Sequence, residues 1–186
     1  MKTSKIVIIS LITVFLGIVL FLCYMGFCSK RDPVEKEEGG FVVIGLDLVG
    51  PYSKVGQYMK KTNKQLKELG INSSKQIGVY YDSPALDSNR CHSLIGVIIE
   101  REEIKRIKEK DIRDFRIDSI PKRDALVLEF PMKSKLSYMF GPAVVYPAFS
   151  KYMKEKAYKG LLSFEIYDYD KGEITYVMQY NKLPSQ

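Results

Sequence analysis

The chain has no tryptophan, a single histidine and only three cysteines among its 186 residues. One histidine, His92, excludes a histidine-based catalytic triad and any zinc centre built on several imidazoles. Cys23 and Cys28 close an apolar run, so Cys91 stands alone in the remainder and no disulfide can form within it. Also missing are a phosphate-binding glycine loop, a Gly-x-Ser-x-Gly elbow and a Cys-x-x-Cys pair. Neither a metal nor an organic cofactor is expected. With 46% hydrophobic and 27% charged residues, the composition is that of a globular protein, which excludes disordered and collagen-like chains.

One apolar run is long. Ile6 to Phe27 is a 22-residue stretch without a charge. As a helix it would extend about 33 Å, enough for a hydrocarbon core of about 30 Å. A cleaved signal peptide is the alternative, but the run exceeds the usual apolar length and no small-x-small site follows it. An uncleaved single-pass N-terminal anchor is therefore expected, making the membrane a partner. Lysines and arginines flank both ends, so charge does not assign an orientation. The flanking Lys2, Lys5, Lys30 and Arg31 carry much of the +7 net charge, leaving 25 basic against 22 acidic groups beyond them. That near balance argues against a nucleic-acid partner.

Beyond the run, residues 28–40 read as a flexible charged linker, and residues 41–182 as one domain. Phe41 to Val49 is a β-branched strand. Pro51 to Leu69 places Val55, Met59, Thr62, Leu66 and Leu69 on one face of a helix whose other faces are rich in lysine. A solvated face explains those lysines; contact with anionic headgroups is the alternative. Strands follow at Gln76 to Asp82 and His92 to Glu100, joined by a loop around Ser83-Pro84. After a short charged helix and an edge strand ending at Pro121, the order repeats. A strand at Ala125 to Phe130 precedes a helix at Lys135 to Lys156, broken near Gly141-Pro142 and Pro147. Strands at Leu161 to Tyr169 and Glu173 to Tyr180 complete it. The prediction is an α+β fold of two β-α-β-β units with antiparallel sheet and pseudo-two-fold symmetry.

Candidate functional residues come from the aromatics. Thirteen tyrosines are many for this length, and several fall on strands. Core packing accounts for most of them; an aromatic-lined cleft for apolar or cationic molecules is the alternative. Glu165 stands out because Ser163, Glu165 and Tyr167 share one strand face while Phe164 and Ile166 share the other. If that face is open, Glu165 is merely solvated. If it is covered, the carboxylate is a counter-charge or an acid–base group. Matching Val79-Tyr80-Tyr81-Asp82 to Glu165-Ile166-Tyr167-Asp168 makes Tyr81 the repeat partner of Tyr167 and the opposing aromatic wall. His92 and Cys91, adjacent and so on opposite faces, read as structural. Tyr180-Asn181-Lys182-Leu183 has the spacing of an autophagy-receptor docking motif, but it lacks flanking acids and ends a strand.

These residues resemble the GyrI-like small-molecule-binding superfamily, which includes effector domains of multidrug-sensing regulators. The carriers are Gly50-Pro51-Tyr52, Val79-Tyr80-Tyr81-Asp82-Ser83-Pro84, Asn89-Arg90-Cys91 with Gly96, Tyr146-Pro147-Ala148, and Phe164-Glu165-Ile166-Tyr167. With the N-terminal run they are similar to a membrane-anchored branch that includes a testis-expressed ER-phagy receptor. Departures from the branch are His92 after Cys91 and the lack of an acidic tail or helix-turn-helix region, so receptor and transcription roles are not implied. The resemblance implies a pocket glutamate at Glu165 and a small amphipathic or cationic ligand. A membrane-tethered adaptor for a protein partner and a small-molecule hydrolase remain alternatives.

Overall fold

In the computed structural model, residues 2–27, 32–82 and 88–183 are described. The expected loop at Ser83-Pro84 and positions 28–31 of the expected linker lie outside them. Helix α1 (Lys2–Tyr24) is followed by strands β1 (Val34–Glu38) and β2 (Phe41–Val49), helix α2 (Val55–Glu68), and strands β3 (Lys75–Tyr80) and β4 (His92–Ile99). Helix α3 (Ile104–Lys108) leads to β5 (Arg116–Ile120) and β6 (Arg123–Pro131). Helix α4 (Ser137–Glu155), β7 (Tyr158–Asp168) and β8 (Glu173–Lys182) complete the order. Lys5–Tyr24 is the one helical stretch among the described residues that is long and apolar enough to cross a membrane.

All eight strands form one antiparallel sheet, ordered β1-β6-β8-β7-β3-β4-β2-β5. The order reads alike from both ends. Within each half the first strand lies outside, the third in the middle and the second at the centre, where β3 meets β7. The fold is the predicted α+β duplication. The sheet also curls. Val43 of β2 and Val127 of β6, five strands apart in the order, share one core cluster with Ile77, Val79, Phe164 and Val177. The opposite face is covered by α2 and α4. Val55, Met59, Thr62 and Leu66 of α2 are buried, as the helical spacing predicts.

Two expectations are corrected. Val34–Glu38, read as flexible linker, is an edge strand paired with β6. Four of its five side chains are charged, but Glu35 accepts hydrogen bonds from Tyr152 (3.0 Å), Tyr158 (3.2 Å) and Tyr180 (2.9 Å), which tie it down. Helix α4 runs unbroken through Pro142 and Pro147. Each proline removes one ladder bond, yet Ser137, Gly141, Val145 and Phe149 form a continuous buried row that holds the helix to the sheet.

Candidate functional site

Between α2 and α4, over the central pair β3 and β7, lies a cavity of about 1520 Å³. Its floor is aromatic and acidic, with Tyr80, Tyr167 and Glu165 from the sheet, and Tyr146 of α4 reaches down to it. Met59, Met139, Met153 and Met178 supply soft apolar wall, and Lys60, Lys67 and Lys135 also touch it. Methionine suits such a wall because it is flexible and polarisable and accommodates ligands of different shape.

Glu165 is 4% exposed and is satisfied entirely by phenols. Tyr146 donates to Oε1 at 2.7 Å and Tyr80 to Oε2 at 3.0 Å, and the Tyr167 hydroxyl also donates to Oε2. The geometry follows from the register. Gly78 stands directly opposite Glu165, and Tyr80 two residues on shares its face. A Cβ on Gly78 would come within 2.8 Å of the Tyr80 hydroxyl, so the missing side chain gives that ring room to lean back to the carboxylate. Tyr146 enters from α4, and Tyr138 at the start of that helix brings its ring to 5.6 Å from the Tyr167 ring.

Burial pushes the Glu165 carboxyl above its ordinary value, and the bonds from Tyr167, Tyr146 and Tyr80 pull it partly back. The three phenols are raised well above theirs, chiefly by burial and then by the adjacent carboxylate. They therefore stay protonated and remain donors. Three of a carboxylate's roughly four acceptor positions are filled in this way. Glu165 thus serves better as a fixed charge behind a wall of rings than as a base able to activate water. Phenols that donate to a carboxylate also become more electron-rich, which strengthens their attraction for a cation.

Glu165 and Tyr167 sit together in this cavity; Tyr81 does not join them. The residue borders the cavity, but its ring packs against the opposite-face cluster of Val79, Phe164 and Val177, and its hydroxyl donates to Asp118 at 2.7 Å and accepts from Arg116. The physical reason is a one-residue slip in matching the two repeats, which moves a side chain to the opposite face. Tyr80 is the residue that faces Tyr167 across Glu165. Sequence reasoning passed over Tyr80 and Tyr146 as site residues. The signal for Tyr80 was the even spacing from Gly78, usable only once Gly78 is known to pair with Glu165. Cys91 is buried and His92 exposed.

A family model for the GyrI-like small-molecule-binding domain matches residues 31–180. The chain belongs to this family. Among solved structures, SAV2435 bound to tetraphenylphosphonium matches the GyrI-like fold with a TM-score of 0.54 at 10% identity, covering 81% of this chain and 94% of that one. A Staphylococcus aureus protein described as a putative transcription regulator matches with a TM-score of 0.53 at 11% identity, covering 81% and 99%. EcmrR in a complex with DNA matches with a TM-score of 0.53 at 9% identity, covering 97% of this chain and 69% of that one. At these identities the likeness is one of fold. No curated protein matches in sequence.

Proposed function

We propose that this GyrI-like domain is a membrane-anchored receptor for amphipathic cations, which bind against the tyrosine wall with Glu165 as buried counter-charge. One observation carries the reading: a carboxylate almost wholly removed from water, ringed by three phenols, in a cavity lined with methionine. A buried carboxylate that meets only neutral donors among the described residues is costly, and a bound cation offsets that cost. The cavity exceeds the common range of about 300–1,000 Å³ for small-molecule sites, which favours a bulky or elongated ligand. In this reading the apolar α1, long enough to cross a membrane, supplies the anchor.

The test is titration with tetraphenylphosphonium, the cation held by SAV2435, against neutral triphenylphosphine oxide. The cation should bind more tightly, and its affinity should depend on pH. A cation is attracted to the carboxylate and not to the neutral acid, so binding draws the raised pKa of Glu165 down. Affinity should therefore rise as pH passes through that raised value and level off above it. On the acid side, binding should release a proton, seen as a calorimetric heat that changes with the buffer's ionisation enthalpy. Equal affinity for the two compounds, or a flat pH profile, would count against the reading.

A further inference from the structure

The end of α1 does not leave the domain freely but packs onto the segment that opens α4. Met25 is buried, the Phe27 and Phe140 rings meet edge-to-face at 4.9 Å, and the Lys133 ammonium lies 4.1 Å over the ring of Tyr24. The Ser134 hydroxyl approaches the Met25 sulfur at 3.9 Å. Residues 132–140 thus abut the point where the apolar helix ends. In that segment Leu136 (40% exposed), Tyr138 (40%) and Met139 (60%) present large apolar side chains to the outside, with Lys133 and Lys135 beside them. Apolar side chains, an aromatic ring and lysines at one level are what a bilayer interface favours. Tyr24, at the end of the spanning stretch, fixes that level. Lys135, Tyr138 and Met139 also line the cavity.

We propose that residues 132–140 rest on the bilayer surface from which α1 emerges, so that the ligand cavity opens at headgroup depth and takes molecules already partitioned into the membrane. The inference rests on the reading of α1 as a membrane anchor. It explains why a cavity for amphiphiles and an anchor meet through one short segment. Lipid is the occupant because the patch is continuous with a helix whose apolar sides only lipid would cover.

The absence of native tryptophan makes the test direct, since one introduced indole reports alone. The full chain is reconstituted into vesicles of phosphatidylcholine with a minor share of phosphatidylserine. The lipids carry no bromine, bromine near the top of the acyl chains to read position 139, or bromine near their ends to read position 16, which lies about 12 Å deeper than Tyr24. Single-tryptophan variants Leu16→Trp, Met139→Trp and Lys122→Trp place the indole in the anchor, on the patch, and in the turn before β6, at the end of that strand away from the patch. Leu136→Trp stands in for Met139→Trp should that variant fail to fold. The Met139→Trp emission should shift to the blue and lose most of its intensity in brominated vesicles, while Lys122→Trp stays unquenched. Quenching at position 16 with none at positions 139 and 136 overturns the proposal and leaves the anchor standing. Absence of quenching at position 16 overturns both.

Discussion

Glu165→Gln is expected to weaken tetraphenylphosphonium binding about 10- to 100-fold while leaving triphenylphosphine oxide within a few-fold of the parent. The estimate is Coulombic. Phenyl groups keep the phosphorus roughly 5–6 Å from the carboxylate, and at an effective dielectric of about 20 the attraction is about 3 kcal/mol. Desolvation of the ligand takes part of that, leaving about 1.4–2.7 kcal/mol, and each 1.4 kcal/mol is tenfold in affinity. Glutamine keeps the shape but replaces one acceptor oxygen with an NH2 donor. Oε2 receives both Tyr80 and Tyr167, and Oε1 receives Tyr146, so at least one phenol must then turn away from its partner. That mismatch costs about 1–3 kcal/mol of stability. Thermal unfolding of the free variant measures this cost separately, and the neutral compound shows whether the cavity keeps its shape. Equal weakening of both ligands would make Glu165 a support for the tyrosines and not a counter-charge.

The parts of the molecule legible in sequence are those set by local periodicity. Phe41 to Val49 is a strand as read because its β-branched run suits no other element. The buried row of α2 follows from 3.6-residue spacing that no tertiary contact overrides. Glu165 was legible for a related reason, since strand alternation alone puts it with Tyr167. What failed depended on pairing partners. Tyr80 and Tyr81 are chemically identical neighbours, and only the register of β3 on β7 decides which faces the carboxylate. Strand β1 reads as linker because Glu35, Lys36, Glu37 and Glu38 carry no apolar pattern. It is held by tyrosines more than 110 positions away in the chain and by the free edge of β6, neither of which local composition encodes. Tyr146 belongs to a motif that carries the family resemblance, yet its place beside Glu165 depends on where a helix with two prolines comes to rest.

Gly96→Ala is expected to destabilise the fold on the order of 3 kcal/mol, although alanine ordinarily suits a strand better than glycine. Gly96 of β4 stands opposite Gly45 of β2, on the face that the sheet curls inward. A Cβ there would lie 2.0 Å from the Ile44 carbonyl oxygen and 2.6 Å from the Gly45 Cα. Both obstacles are backbone, fixed by the ladder between β2 and β4, so no rotamer change relieves the clash. The strands would have to separate where Ile44 and Ile95, both fully buried, pack beside them. For a chain of this size a loss of that order lowers the midpoint of thermal unfolding by roughly 6–12 °C. Gly56→Ala is the control. It lies in helix α2, and its added Cβ meets nothing within 4 Å. There the ordinary preference should rule, giving a gain of about 0.5–1 kcal/mol. Urea unfolding of the two variants in one detergent compares them directly. A Gly96→Ala protein as stable as the parent would mean that the two strands are not held as close as this packing requires, and that the inward curl at β2 and β4 is looser than the backbone contacts show.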